Sequence, residues 1–165
     1  MNTNTQYRIR PINASDRFWI LNLAKKRWGS NRVVTRGKIY EIKHLSGFIA
    51  RNSSDRLGLL TYSISNSEFE IVTLDSLVES IGVGTALISQ ARSFAEHADC
   101  HRIWLITTND NMPALRFYQK RGFHLVAIHQ NALAYSRTLK PEIPLIGLNG
   151  IPLRDEIELE IILHS

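Results

Sequence analysis

The amino-acid sequence predicts an α/β fold in three layers, with a mixed, largely antiparallel central sheet and helices on both of its faces. The first observation behind this prediction is a meander of three strand patterns joined by turn residues, over 47–51, 56–62 and 68–74. The second is an alternation of strand and helix patterns over residues 73–123, which is typical of a crossover between strands. The third is a closing strand pattern over 154–163, in which apolar and charged residues alternate.

Length and composition fit one globular unit. The 165 residues suit a single hydrophobic core, and a hydrophobic content of 44% is ordinary, so we expect one domain over 1–165. The net charge of +5 suits an anionic ligand, whereas no block of Lys and Arg indicates nucleic-acid binding. No stretch approaches the roughly 18 apolar residues of a membrane span. The polar amino terminus does not resemble a signal peptide, so we expect a cytoplasmic protein.

Cysteine and histidine usage argues against a disulfide or a metal site. The one cysteine, Cys100, excludes an internal disulfide. His97 and His101 are four residues apart, but Asp99 and Cys100 between them indicate that a helix ends there. The other histidines are scattered, so the sequence predicts no metal.

The amino-terminal part predicts a strand over 7–12, a helix cap at 13–16 and then a helix. The apolar side chains of this helix, which we expect in the core, are Trp19, Ile20, Leu23 and Ala24. The segment 31–38 that follows is basic, and Val33 and Val34 indicate that part of it is a strand.

A glycine turn lies at the centre of the crossover. Gly82, Val83, Gly84 and Thr85 stand between the strand pattern and a helix whose apolar face would carry Leu87, Ala91, Phe94, Ala95 and Ala98. Glycine allows the backbone to approach a bulky anion closely, and the free N–H groups of a helix start favour negative charge. The turn is thus either a phosphate site or a purely structural turn.

The second half of the crossover contains residues that mark where its helix begins and ends. Residues 102–107 read as a strand, and Asn111 with Pro113 marks the start of a helix. Gly122 marks its end, in the position of a left-handed cap.

The two motifs together carry a family resemblance. The pattern Glu79-x-x-Gly82-x-Gly84-Thr85, followed by Asn111-x-x-Ala114-x-x-Phe117-Tyr118-x-x-x-Gly122-Phe123, resembles the GCN5-related N-acetyltransferase (GNAT) family. The resemblance implies a GNAT-like three-layer fold and transfer of an acetyl group from acetyl-CoA to a primary amine, by direct attack in a ternary complex. The alternative is a catalytically inactive acyl-CoA-binding module that acts as a sensor or interaction partner.

The resemblance also implies a coenzyme site. Backbone N–H groups of the glycine turn would hold the diphosphate, and those near Leu74 and Ser76 would pair with the pantetheine arm where the strand parts from its neighbour. Glu79 departs from the family, which prefers a basic or amide residue there. The implied coenzyme-binding residues are Leu74, Ser76, Glu79, Ser80, Ile81, Gly82, Val83, Gly84, Thr85, Asn111 and Tyr118; Arg116 and Arg121 are further candidates.

Two catalytic roles follow from the same resemblance. Tyr118, whose phenol is protonated at neutral pH, would give a proton to the thiolate of CoA; the alternative is a core aromatic beside Phe117. A carboxylate would accept the proton of the amine. Glu68 and Glu70, on one side of their strand with Val72, are the candidates, with Asp75 as a third. The alternative is that they are exposed strand carboxylates.

The acceptor is expected to be a small-molecule or peptide amine. Trp28, Arg32 and Asp75 are the predicted substrate-binding residues, and Arg36 could also contact an acceptor. The segment 129–154, which includes a helix pattern over 131–140, would form one wall of the acceptor site or a contact in a homodimer. In the closing strand, we expect Glu156, Glu158 and Glu160 on an exposed face.

Overall fold

The structure is a computed structural model that describes residues 6–164, so the segment 1–5 and its polar sequence lie outside the described residues. The strands in this part of the chain are β1 (Arg8–Pro11), β2 (Arg32–Thr35), β3 (Lys38–Glu41), β4 (Ser46–Arg51), β5 (Arg56–Ser65), β6 (Glu68–Ser76), β7 (Arg102–Thr108), β8 (His124–His129) and β9 (Glu156–Ile162). The α-helices are α1 (Arg17–Trp28), α2 (Val83–His97), α3 (Met112–Gln119) and α4 (Ala132–Leu139).

Seven strands form one sheet in the order β1-β4-β5-β6-β7-β9-β8, and β2 and β3 form a separate hairpin. The β6–β7 pair is parallel, whereas the other neighbours in the sheet are antiparallel. A parallel pair needs a crossover, and α2 supplies it. The predicted mixed, largely antiparallel sheet is therefore confirmed.

Two hydrophobic cores cover the two faces of the sheet. Leu59 and Leu60 are consecutive in β5 and fully buried, and because strand side chains alternate they enter different cores. Leu60 packs with the apolar face of α2, including Leu87 and Ala91. Leu59 packs with Ile20 of α1. The three-layer arrangement thus places α2 on one face and α1 on the other.

The central parallel pair is short. Its register runs from Glu68 opposite Arg102 to Ile71 opposite Leu105, although β6 continues to Ser76 and β7 to Thr108. On the other side of β6, Ile71 pairs with Tyr62 and Thr73 pairs with Thr61, which leaves Val72 as the extra residue of a β-bulge. The strands β6 and β7 therefore part just after Ile71, as the family resemblance implies.

Val72 lines a small cavity together with Glu70, and as the extra residue of the bulge it shifts the alternation of sides for the residues that follow it. Residues that are paired across antiparallel strands share a face. Thr73 bonds through its hydroxyl to that of Thr61 (2.6 Å), and Asp75 pairs with Leu59 on the face of α1. Beyond the bulge, the odd-numbered residues face α1.

The exposed glutamate face predicted for the last strand is wrong. Glu156 is fully buried beneath α4, where its carboxylate accepts a hydrogen bond from Ser136 Oγ (3.2 Å). Glu158 and Glu160 are only partly exposed, and both pair with Arg102 of β7 (3.0 and 2.7 Å). The strand pattern could not show that α4 and a half-buried arginine cover this face.

Other sequence expectations differ only in detail. Leu87, Ala91 and Ala95 are buried as expected, but Ala98 is exposed because α2 ends at His97. The basic segment 31–38 belongs to the hairpin β2–β3, whose second strand the sequence does not predict.

A buried carboxylate joins the amino-terminal elements. Asp16, at the start of α1, has no exposed side-chain surface and accepts hydrogen bonds from Arg10 of β1 (2.6 and 2.9 Å) and Arg56 of β5 (3.0 Å). These bonds hold the pKa of Asp16 well below its usual range, and the bond from Arg10 has the largest effect. The cluster fixes α1, and with it Trp28, against the sheet.

We predict that Asp16→Asn lowers the free energy of unfolding by about 3 kcal/mol at pH 7, because removing one partner leaves the arginine charges unpaired. The folded-state pKa lies below the unfolded value, so this contribution is complete above the unfolded pKa and declines as the pH falls through acid. Urea unfolding at pH 7 and pH 3 measures the difference in the free energy of unfolding between the wild type and Asp16→Asn. Asp55→Asn, in an exposed turn, is the control; equal stability of both variants at pH 7 would contradict the prediction.

Candidate active site

The glycine turn forms the start of α2. Gly82 is left-handed (φ 79°), and so is Ser80 (φ 64°). The bond from Ala86 N to the Gly82 carbonyl (2.9 Å) is the first of the helix, so the amides before Ala86 have no partner within it. A helix start with free N–H groups carries partial positive charge and suits an anion.

Close packing of α3 on α2 completes this turn. A Cβ on Gly84 would lie 3.0 Å from the ring of Phe117, so glycine permits the two helices to approach. The guanidinium of Arg121 lies over that ring (3.5 Å to the centroid) and donates to Thr85 Oγ1 (2.9 Å). Arg121 therefore places a positive charge beside the turn, which the carboxylate of Glu79 cannot supply. The left-handed glycine, the free amides and Arg121 fit the diphosphate of a coenzyme.

A cleft of about 350 Å³ opens where β6 and β7 part. It reaches from α3 on one side of the sheet to α1, β2 and α4 on the other. Its lining residues are Trp28, Val33, Val34, Ile71, Val72, Thr73, Leu74, Leu105, Ile106, Thr107, Thr108, Asn111, Ala114, Tyr118, Leu133, Lys140, Ile143 and Leu153. A larger concavity, of about 840 Å³, lies at the β1 edge and contains none of the predicted site residues.

Tyr118 lies in this cleft. Its ring packs edge-on against Phe117 and Phe123, with centroids 5.1 and 5.2 Å away, and only 8% of the residue is exposed. Burial is the main cause that raises the pKa of the phenol above its ordinary value of 10, and the charge of Asp75 adds to it. The phenol is therefore protonated throughout the neutral range.

Asp75 follows Leu74 in β6 and is buried (8% exposed). Burial raises the pKa of its carboxyl to about 6, against a smaller opposing effect of Arg27. Its Oδ2 atom has no hydrogen-bond partner among residues 6–164. The charge of Asp75 acts on Tyr118, although Asp75 is not among the residues that line the cleft.

The other candidate carboxylates lie farther along β6. Glu68 is half-buried at the strand's start and is held by Arg102 (2.9 Å) and His101 (3.4 Å). Glu70 is buried and accepts a hydrogen bond from the hydroxyl of Tyr40. Burial is the main cause that raises the pKa of Glu70.

The remaining predicted coenzyme residues differ in whether they line the cleft and in how exposed they are. Leu74 lines the cleft, and so does Asn111, whose side chain also caps α3 by accepting from Ala114 N (3.2 Å). Ser76 is exposed and its hydroxyl donates to the Val78 carbonyl (2.9 Å). The side chains of Glu79, Ser80 and Thr85 are exposed beside the turn, Ile81 is half-buried, and Val83 is buried under it.

The predicted acceptor residues do not lie together in the structure. Trp28 lines the cleft at the end of α1, whereas Arg32 is not among the lining residues. Arg36 lies in the turn between β2 and β3, where its amide donates to Glu156 (3.0 Å). Segment 129–154 contributes Leu133, Lys140, Ile143 and Leu153 to the lining of the cleft.

Sequence reasoning missed Lys140 as a cleft residue. Its ammonium group is buried and donates to the carbonyls of Trp28 (3.4 Å) and Arg32 (3.1 Å), and burial lowers its pKa. Lys140 thereby ties the end of α4 to α1 and β2. A basic residue at a helix end usually lies in solvent, so no signal in the sequence marks this contact.

Within residues 6–164, no group of three or more His, Cys, Asp or Glu side chains is arranged to hold a metal ion. No helix in this part of the chain is both long and apolar enough to cross a membrane.

The anion-binding turn, the parted strands and the buried tyrosine define the class of acyltransferases that use a CoA thioester. The sequence model described as "Acetyltransferase (GNAT) family" matches residues 17–123. A Bacillus subtilis (strain 168) protein described as uncharacterized, YdhI, is 44% identical over 150 residues, which cover 90% of this chain and 94% of YdhI. The chain therefore belongs to the GNAT family and is by class an acetyl-CoA-dependent N-acetyltransferase, as the motifs predict.

Solved structures share the fold. A GNAT family acetyltransferase from Elizabethkingia anophelis with acetyl-CoA bound superposes with a TM-score of 0.73, at 20% identity, over 98% of this chain and all of that chain. An acetyltransferase of Bacillus subtilis in complex with CoA gives a TM-score of 0.69 at 19% identity, over 96% of this chain and all of that chain.

We predict that Gly82→Ala weakens CoA binding about tenfold, because a left-handed alanine costs roughly 1–2 kcal/mol and the turn would relax away from it. Calorimetric titration of CoA measures the change. Gly29→Ala is a matched control, since Gly29 is also left-handed (φ 68°), meets no atom within 4 Å and caps α1 far from the turn. Equal CoA affinity in both variants would show that the turn does not hold the coenzyme.

Proposed function

We propose that the protein transfers the acetyl group of acetyl-CoA to a primary amine, by direct attack within a ternary complex. The observation that carries this proposal is the cleft between β6 and β7, because it reaches from Asn111, Ala114 and Tyr118 of α3 on one face to a second, separate wall on the other. One continuous opening lets an amine and a thioester meet without a covalent enzyme intermediate.

Bound acetyl-CoA would supply an activated acetyl group as a thioester. The amides of the turn from Ser80 to Thr85 would hold its diphosphate, with Arg121 beside them. Leu74 and Asn111 line the path of the arm, and the backbone of β6 beyond Ile71 no longer pairs with β7. Such an open strand edge can pair with an extended arm and polarise a carbonyl.

Tyr118 is the proton donor in this proposal. Its buried phenol remains protonated at neutral pH and lines the cleft beside the coenzyme helix. A protonated phenol stabilises a departing thiolate by donating its proton as charge develops on sulfur.

Asp75 is the favoured proton acceptor among the three candidates. It follows Leu74 directly and has a free buried oxygen atom. Its pKa of about 6 leaves it mainly ionised at pH 7 while keeping it more basic than an ordinary aspartate. Glu68 is occupied by Arg102 and begins β6 six residues before Leu74, and Glu70 lies four residues before it.

The step balances with these two groups. The amine nitrogen bonds to the acetyl carbon, the carbon–sulfur bond breaks, and its electron pair leaves on sulfur. The nitrogen releases its proton to Asp75 directly or through water, and Tyr118 supplies the proton that converts the thiolate to a thiol.

We also propose that residues 1–165 form one domain, that the protein is cytoplasmic and that it forms a homodimer. The dimer is supported by exposed apolar side chains in segment 129–154, namely Leu145 (71% exposed), Ile146 (57%) and Leu148 (50%). An inactive acyl-CoA-binding module is the alternative function. It is disfavoured by the unpartnered Oδ2 atom of the buried Asp75, since an unpaired buried polar group is costly to keep without a use.

We predict that Tyr118→Phe lowers kcat about 100-fold or more, because general acid catalysis contributes on that scale. The Kd for acetyl-CoA should change less than about threefold, since the phenyl ring keeps the packing. Thiol release with a panel of primary amines measures kcat, and calorimetry measures Kd.

Tyr135→Phe, at an exposed position of α4, is the control for this experiment. A wild-type protein that binds acetyl-CoA but acetylates no amine would instead favour the binding module. Unchanged kcat in Tyr118→Phe would remove the tyrosine from the mechanism.

We predict that kcat/KM falls below about pH 6 and that Asp75→Asn flattens this acid limb. The raised pKa means that the carboxylate, which accepts the proton, is lost as the pH falls through 6. The pH profile of kcat/KM measures this acid limb in the wild type and in Asp75→Asn, with Asp55→Asn as the control. An acid limb of the same shape in Asp75→Asn would exclude Asp75 as the base.

A further inference from the structure

Five glutamates face the α1 side of the sheet where β6, β7 and β9 meet: Glu68, Glu70, Glu156, Glu158 and Glu160. Arg102 forms ion pairs with three of them, Glu68, Glu158 and Glu160 (2.9, 3.0 and 2.7 Å). Glu70 and Glu156 form no ion pair within residues 6–164, although they are the most buried of the five (6% and 1% exposed). The two least solvated carboxylates are therefore the two without a cation.

Both of these carboxylates line one small cavity, of about 90 Å³. Thr35 of β2 lines it too; its side chain is 7% exposed, and its Oγ1 atom has no hydrogen-bond partner among residues 6–164. An unpaired buried hydroxyl is costly for a protein to keep. The cavity therefore presents two carboxylates without a cation and one hydroxyl without a partner.

The present neighbours of the two carboxylates do not neutralise them. Glu70 accepts from the Tyr40 hydroxyl, and Lys38 lies above the Tyr40 ring (4.6 Å) without reaching ion-pair distance of Glu70. Glu156 accepts only neutral donors, Arg36 N and Ser136 Oγ. Buried carboxylates without a cation are expensive to keep, and a bound cation would offset that cost.

The cavity adjoins the cleft but not the reacting atoms. The two share walls formed by Val33, Ile71, Val72 and Ile106. Glu70 precedes Leu74 by four residues, which is roughly 13 Å along an extended strand. A cation held by Glu70 is therefore not the amine that meets Tyr118 and Asp75.

We propose that the cavity formed by Glu70, Glu156 and Thr35 binds a second cationic group of the acceptor, an alkylammonium, so that the preferred acceptor is an aliphatic diamine or polyamine. The inference rests on the proposed acetyl transfer. One amine occupies the cavity while the other, several methylenes away, lies at Tyr118. The small volume and the apolar walls favour a single ammonium group on an alkyl chain.

The test compares α,ω-diamines of increasing length with n-alkyl monoamines of the same length. We expect kcat/KM for the best diamine to exceed that of its monoamine by roughly 10- to 100-fold, the worth of a hydrogen-bonded buried charge. Calorimetry of the same compounds without acetyl-CoA gives a second readout, in which only the diamine should bind measurably.

The variants Glu70→Gln and Glu156→Gln keep side-chain size, and each should raise the diamine KM to the level of the monoamine. Glu156→Gln should leave monoamine turnover unchanged. Thr35→Val, which keeps shape, should reduce the preference more mildly. Glu96→Gln, on the surface of α2, is the matched control and should retain it.

The outcomes separate the two proposals. Acetylation of monoamines and diamines with equal efficiency in the wild type would overturn the cation site and leave the acetyl transfer intact. Absence of turnover with every amine would overturn the acetyl transfer. A diamine preference that survives in Glu70→Gln and Glu156→Gln would place the second cation elsewhere and also overturn the site.

Discussion

The parting of β6 from β7 is the constraint on which the site depends. The two strands pair over only four residues, and the bulge at Val72 turns β6 away while α2 holds both strands in one sheet. Unpaired backbone amides inside a protein need a partner. In this fold they are left available beside a cleft, which Tyr118 of α3 also lines, and the bulge turns Asp75 towards the face of α1.

The two sides of the sheet differ in their electrostatics. On the side of α2 and α3, the helix start and Arg121 favour an anion near the turn, against the opposing charge of the exposed Glu79. On the side of α1 and α4, the five glutamate carboxylates of β6 and β9 outnumber Arg102 and the buried Lys140. Such a division would attract an anionic coenzyme and a cationic acceptor to opposite mouths of one cleft.

The sequence predicts the coenzyme side far better than the acceptor side. The turn and α3 are local: Gly82, Asn111, Pro113 and Tyr118 lie within two short motifs, and their conformations follow from nearby residues. The acceptor wall is assembled from distant elements, so neither the burial of Glu156 under α4 nor the reach of Lys140 to Trp28 could be predicted from strand and helix patterns. The alternation rule also fails at the bulge, where Val72 changes the side that later residues face.

A crystal structure of the protein with bound CoA would show whether the parted strands hold the coenzyme. We expect the diphosphate to contact the amides that follow Ser80, the arm to lie along β6 beyond Ile71, and the sulfur to lie within hydrogen-bonding distance of the Tyr118 hydroxyl. A CoA molecule bound at the β1 edge, or one whose sulfur lies away from the β6–β7 cleft, would contradict this expectation.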